Sequence, residues 1–88
     1  MSIREEFGNL SEKLKVERDQ ISLKLHLASM EARDEFEVAE KKWEILKAKA
    51  AEIADDTKET SEEYIARAKI VGEELKEAYH RINQRLSD

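Results

Sequence analysis

The sequence predicts an all-α protein: a long helical hairpin, or antiparallel coiled coil, that assembles with copies of itself into a helical bundle. The chain has no Pro and only two Gly in 88 residues, so little in it would interrupt a helix. Ala, Glu, Lys, Arg and Leu make up more than half of it, which is typical of long helices and coiled coils. Apolar residues recur at steps of three and four, the pattern of a helix with one apolar face.

The first predicted helix covers about residues 2–54. Ser2 and Glu5 have the spacing of a capping box, so we expect the helix to begin near the start of the chain. Steps of three and four residues, with one step of seven after Leu14, connect the apolar positions of its face, which are Ile3, Phe7, Leu10, Leu14, Ile21, Leu25, Ala28, Ala32, Phe36, Ala39, Trp43, Leu46, Ala50 and Ile53.

A break is predicted at about residues 55–60. This segment has no large apolar residue and is rich in side chains that compete for backbone hydrogen bonds. Thr60 and Glu63 have the spacing of a second capping box, which starts a second helix over about residues 61–86. Its apolar positions are Tyr64, Ala68, Val71, Leu75, Ala78, Ile82 and Leu86. Because no Gly or Pro enforces the break, one unbroken helix is the alternative. Residues 1–88 form one coiled-coil domain in either case.

A reversal around residues 57 and 58 predicts which residues meet in the hairpin seam. Antiparallel partners then have residue numbers that sum to about 115. Trp43 would face Gly72, where a missing side chain admits the indole, and Phe36 would face Tyr79. Large residues opposite small ones are expected where helices interdigitate.

Two features predict self-association. The second helix is too short to cover the first half of the longer one, which leaves Ile3, Phe7, Leu10, Leu14, Ile21 and Leu25 without a partner in the same chain. A second apolar stripe, Leu23, Leu27 and Met30, lies on roughly the opposite face, and Val16, Val38 and Ile45 extend it. The alternation from Ile21 to Leu27 is also a strand pattern, but a single strand without a partner would be unstable. We therefore expect a homo-oligomer, a dimer or a tetramer, or docking of a helical protein partner.

The same sequence offers no expected catalytic, cofactor-binding or metal-binding residues. A net charge of −5 disfavours a nucleic-acid partner, and no Cys is present. No nucleophile lies beside a plausible base, so no enzyme activity is expected. Glu77 and His80 match the Glu-x-x-His element of di-iron bundles, with Glu73 one turn earlier, but all three should face solvent. His26 is expected to be a surface or interface residue.

The expected location is the cytoplasm, because the sequence shows neither a signal peptide nor a membrane-spanning apolar run. Membrane binding is also disfavoured, since the polar face is net acidic, whereas helices that adsorb to membranes are rich in Lys and Arg.

Three short stretches, Met30–Arg33, Lys42–Trp43 and Gly72–Leu75, carry a resemblance to a group of short bacterial coiled-coil or stress-response proteins. The resemblance covers roughly residues 10–86. The segment DDTKETSEE is similar, more weakly, to late-embryogenesis-like and apolipoprotein-like helical repeats. The first resemblance implies a structural or stress-related role and supplies no site residues.

The sequence therefore favours a non-catalytic interaction and self-association protein. The alternative, which the weaker similarity implies, is an amphipathic helical protein that lies on lipid surfaces or protects during desiccation. Helicity in plain buffer would favour the first function, and helicity that appears only with lipid would favour the second.

Overall fold

The computed structural model describes residues 2–55 and 59–87, and within this part the chain is α-helical and has no strand. Helix α1 covers Ile3–Lys24, α2 covers Met30–Ala54 and α3 covers Glu62–Ser87. A single 3₁₀ turn, Leu25–Leu27, follows α1 directly. The predicted all-α class and the helical hairpin, here α2 and α3, are confirmed.

The continuous helix predicted over residues 2–54 is wrong, because the chain turns at residues 25–29. Ala28 is extended, and its N–H donates to the Leu25 carbonyl at 3.0 Å. The Ser29 hydroxyl then caps α2 by accepting from the Ala32 N–H at 3.2 Å. A polar N-cap thus starts a new helix without any Gly or Pro. As a result α1 folds back along α2.

Three helices pack into an elongated bundle of 43 × 21 × 18 Å. Helices α1 and α2 are antiparallel, and α3 is antiparallel to α2. Glu6 of α1 pairs with Lys69 of α3 at 3.2 Å, and Arg4 donates to Thr60 at 2.9 Å, so α1 and α3 run in the same direction. Helix α3 packs against both others, whereas α1 and α2 contact each other less.

The core lies on the axis of this bundle and uses the predicted apolar ladder, to which α3 adds Ile65, a position that the sequence analysis missed. Each helix contributes buried side chains at steps of three, four or seven residues, as an apolar face requires. The buried core residues are Phe7, Leu14 and Ile21 from α1, Ala32, Phe36, Ala39, Trp43, Leu46 and Ile53 from α2, and Ile65, Ala68, Leu75, Tyr79 and Ile82 from α3.

The start of α3 differs slightly from the prediction. The described residues Asp55 and Glu59–Ser61 are not helical, as expected for a break at about 55–60, while residues 56–58 of that prediction lie outside the described residues. The cap is Ser61 rather than Thr60, since the Ser61 hydroxyl accepts from the Tyr64 N–H at 3.1 Å. Thr60 instead accepts a hydrogen bond from Arg4. At the other predicted cap, Ser2 accepts from the Glu5 N–H at 3.2 Å, as expected.

Candidate functional site

Most residues predicted to mediate self-association lie inside the chain's own bundle. Phe7, Leu14 and Ile21 are buried in the core, and Ile3, Leu10 and Leu25 are partly buried against it. The prediction that these six residues need a second chain to cover them is wrong. It assumed an extended first helix, and the turn at residues 25–29 brings α1 under the cover of α2 and α3.

The other three predicted residues remain in solvent and form the candidate site. Leu23 is 77% exposed, Leu27 is 76% exposed and Met30 is 75% exposed. They lie in the last turn of α1, in the 3₁₀ turn and at the first residue of α2, at the end of the bundle where α1 turns into α2. We call these three residues the apolar tip. Single exposed apolar residues are common on proteins, but three this exposed within eight positions are not.

The backbone beneath the apolar tip is held by hydrogen bonds on both sides of the turn. Arg33 of α2 donates to the carbonyls of Leu25 and His26, at 3.4 Å each. These acceptors lie in the 3₁₀ turn that follows α1, where carbonyls lack α-helical partners, and the Leu25 carbonyl also accepts from the Ala28 N–H. With the Ser29 cap, the bonds fix the direction in which α2 leaves the turn. The apolar tip is therefore carried on an ordered turn.

Charge around the apolar tip is close to balanced. Lys24, His26 and Arg33 are exposed there. The nearby carboxylate of Glu31 pairs with Arg85 at 2.8 Å, and Arg85 also pairs with Glu35 at 3.0 Å. The opposite end of the bundle carries mostly carboxylates, among them Glu5, Glu6, Glu52, Glu59, Glu62 and Glu63. Two apolar tips could therefore meet with less repulsion than two opposite ends.

The rest of the predicted second stripe is exposed but is not continuous with the apolar tip. Val16 lies on α1, whereas Val38 and Ile45 lie on α2, and each is between 51% and 58% exposed. The turn at residues 25–29 separates them onto two helices. Ile70 of α3 is also exposed, and sequence reasoning missed it because it lies off the apolar ladder.

The predicted seam between the two helices of the hairpin has the expected register. Glu31 pairs with Arg85, Lys42 pairs with Glu74, and Glu52 accepts from the Tyr64 hydroxyl. Residue numbers sum to 116 in all three pairs, close to the predicted sum of about 115. Phe36 and Tyr79 both belong to the core, as expected for this register.

Gly72, which the sequence predicts to face Trp43, has its nearest side-chain neighbours on α1. A Cβ built on Gly72 would lie 2.8 Å from Leu10 Cδ2 and 3.5 Å from Leu14 Cδ1, so the missing side chain makes room for α1. Trp43 is 7% exposed and is not the most buried large residue, since Tyr79 and Phe7 are buried more completely. The prediction paired only two helices, whereas α1 also packs beside Gly72.

A polar cluster joins α1 to α2 at the level of Trp43. The Arg18 guanidinium donates to both carboxylate oxygens of Glu40, at 2.6 and 2.7 Å, and lies 5.8 Å from the centre of the Trp43 ring. A two-bond pair of this kind fixes orientation as well as distance. The hydrogen bond to Glu40 raises the pKa of Arg18, which keeps the pair charged.

Tyr79 is fully buried in α3, and its hydroxyl has no hydrogen-bond partner among the described residues. Burial raises the pKa of this hydroxyl well above its ordinary value, and the nearby negative charge of Glu40 adds to the shift. A buried polar atom without a partner costs stability. Burial of the ring therefore stabilises the core, although the hydroxyl loses its hydrogen bonds to water.

We expect Tyr79→Phe to raise the free energy of unfolding by about 1 kcal/mol, because it removes the unpaired hydroxyl and leaves the ring in place. The gain should grow above about pH 10. There the exposed Tyr79 of the unfolded wild type ionises while the buried one does not, so wild-type stability falls and the variant escapes this loss. Urea unfolding of the variant and the wild type at neutral and alkaline pH measures both effects. If the stability difference between the two proteins were the same at both pH values, the buried, un-ionised state of the Tyr79 hydroxyl would be contradicted.

The residues that resembled a metal-binding element face solvent, as predicted. Glu73, Glu77 and His80 are all exposed on α3, and the His80 Nε2 lies 3.3 Å from the Gln84 amide nitrogen. His26 is exposed in the 3₁₀ turn. In the described part of the chain, no three His, Asp or Glu side chains are grouped so that they could hold a metal ion.

None of the described helices combines the length and apolar character needed to cross a membrane.

No protein-family model matches this chain, and no curated protein or solved structure is significantly similar to it. The resemblance to short bacterial coiled-coil proteins therefore stays an expectation.

Proposed function

We propose that this chain is a non-catalytic helical interaction module that associates with a second copy of itself through the apolar tip. The observation that carries the proposal is the exposure of Leu23, Leu27 and Met30, each about three-quarters in solvent at one end of a bundle. The core residues of the same chain are covered by its own helices. Side chains this large are otherwise placed in a core, since each forgoes roughly 1.5 kcal/mol or more in water.

The size of the apolar tip sets the expected strength of this association. Its three side chains expose on the order of 400 Å² together, about half of what each partner buries in a standard interface. Pairing two tips about a two-fold axis would therefore give a weak dimer with a dissociation constant of about 10 µM or higher. The near balance of charge around the apolar tip, with Lys24, Arg33 and Arg85 against Glu31 and Glu35, permits this contact.

Changing Leu23 and Leu27 to Glu together should weaken self-association at least about tenfold, because two carboxylates would meet two others across the interface. Helicity should be unchanged, since both side chains are exposed. Sedimentation velocity over about 5–500 µM, with circular dichroism on the same samples, measures both quantities. The matched control is Val38→Glu with Ile45→Glu, which adds the same charge to half-exposed residues of α2 away from the tip.

Three results would contradict the proposal. A wild-type chain that stays monomeric over the whole concentration range would show that the apolar tip does not bind a second copy. Binding to anionic phospholipid vesicles that requires Leu23 and Leu27, in a monomeric chain, would assign the surface to lipid instead. Equal weakening by the control pair would show that the interface is not at the tip.

A further inference from the structure

A second property of the apolar tip is that it carries a sulfur atom, in the thioether of Met30. The chain has no Cys and only two Met, and the other is Met1 at the start of the chain. Met30 is 75% exposed, whereas Trp43 is 7% exposed. Oxidants convert exposed Met side chains of proteins to the sulfoxide. In the part of the chain that the structure describes, Met30 therefore holds the sulfur that an oxidant can reach.

The turn that presents Met30 is held by other residues. Met30 is the first residue of α2, and the backbone beside it is fixed by the Ser29 hydroxyl, which accepts from the Ala32 N–H at 3.2 Å. Arg33 donates to the turn carbonyls at 3.4 Å each. The Met30 side chain itself lies outside the core cluster. A chemical change at its sulfur should therefore alter the surface of the apolar tip and leave the bundle folded.

Oxidation would make this surface polar at the sulfur. When hydrogen peroxide oxidises a thioether, an S–O bond forms and the O–O bond of the peroxide breaks, so the sulfur gives up two electrons and the peroxide is reduced to water. The sulfoxide oxygen accepts hydrogen bonds from water. Leu23 and Leu27, the other residues of the apolar tip, have no side-chain donor to replace that water, and the Arg33 guanidinium already donates to the turn. Burying the sulfoxide between two tips would therefore cost free energy.

We propose that Met30 is a reversible oxidation site through which hydrogen peroxide weakens the self-association of this chain. The inference rests on the proposed function, because it concerns the regulation of the same apolar tip. The proposed dimer is weak, so monomers with an exposed Met30 are always present and peroxide can reach the sulfur. A methionine sulfoxide reductase would reverse the change, since two thiols are oxidised to a disulfide and the sulfoxide oxygen leaves as water.

Sedimentation velocity of the wild-type chain before and after treatment with hydrogen peroxide measures the effect, and peptide mass spectrometry shows that Met30 has gained an oxygen atom. We expect association at least about tenfold weaker after oxidation, with unchanged helicity by circular dichroism. Treatment of the oxidised chain with methionine sulfoxide reductases and dithiothreitol should restore the original association. Met30→Gln, which places a polar amide at the same position, should weaken association to a similar extent without peroxide.

The matched control is Met30→Leu, which keeps an apolar side chain of similar volume and retains Met1. This variant should associate as the wild type does and should not respond to peroxide. A response of the Met30→Leu chain would assign the effect to another residue and overturn the proposal. If the untreated wild type associates and the oxidised chain associates equally well, the proposal is overturned while the proposed function stands. If the untreated wild type is monomeric, the proposed function itself fails, and this inference fails with it.

Discussion

Phe7→Ala should lower the free energy of unfolding by about 3–5 kcal/mol. Phe7 is 1% exposed and lies in the core cluster together with residues of α2 and α3. Removing its ring takes away buried apolar surface and leaves a cavity in a bundle of only three helices. Because small domains have only about 5–15 kcal/mol of stability, this loss should be visible as a large shift in the urea midpoint.

The control for this prediction is Val16→Ala on the same helix. Val16 is 55% exposed, so its truncation should change stability by less than about 0.5 kcal/mol. An α1 that extended away from α2 and α3 would leave Phe7 in solvent as well. Equal small effects of the two substitutions would therefore contradict the folded-back position of α1.

Gly72→Leu should destabilise the bundle by about 1–3 kcal/mol through overpacking. The first added carbon would already lie 2.8 Å from Leu10 Cδ2, and the rest of the side chain would have to displace Leu10 and Leu14. The better helix propensity of Leu offsets only about 1 kcal/mol of this cost. Thermal unfolding of the variant measures the net effect.

Gly8→Leu is the matched control, because it makes the same change on α1 where a Cβ meets nothing within 4 Å. That substitution should raise stability by about 0.5–1 kcal/mol through helix propensity alone. If Gly72→Leu raised the melting temperature in the same way, Gly72 would face solvent and the packing of α3 against Leu10 would be wrong.

The apolar ladder was sufficient to predict that the chain is helical, which faces of its helices are buried and the register of α2 against α3. Residues such as Phe36, Leu46, Leu75 and Ile82 are buried as their spacing indicates. This works because an amphipathic helix has only one face that it can bury. The pairing of Glu52 with Tyr64 near the break then follows from the antiparallel direction of the two helices.

The turn at residues 25–29 was not predicted, since no Gly or Pro marks it. In a continuous helix, the alternation from Ile21 to Leu27 places leucines on opposite faces, and sequence reasoning interpreted this as a second stripe. The local signals were Ser29 as a possible N-cap and Glu31 in the first turn after it. The bonds from Arg33 to the turn carbonyls are not visible in any short motif.

Because of this turn, only part of the surface predicted to mediate self-association is exposed in the folded chain. With α1 folded back, Phe7, Leu14 and Ile21 are covered within one chain. Leu23, Leu27 and Met30 are left at the point where the chain reverses, where no helix of the same chain covers them. The candidate interaction surface is therefore smaller than a long uncovered helix, and the association that it supports should be weaker.

The position of α1 is the central claim, and one intrachain distance tests it most directly. Glu5 and Ala51 are both exposed, so each can be changed to Cys and spin-labelled, with the labelled chain diluted into excess unlabelled protein. The bundle predicts a label separation below about 25 Å by dipolar spectroscopy, because antiparallel packed helices lie about 10 Å apart. A continuous helix, alone or exchanged with a second chain, would place the two residues about 70 Å apart at 1.5 Å per residue, and that distance would contradict the account.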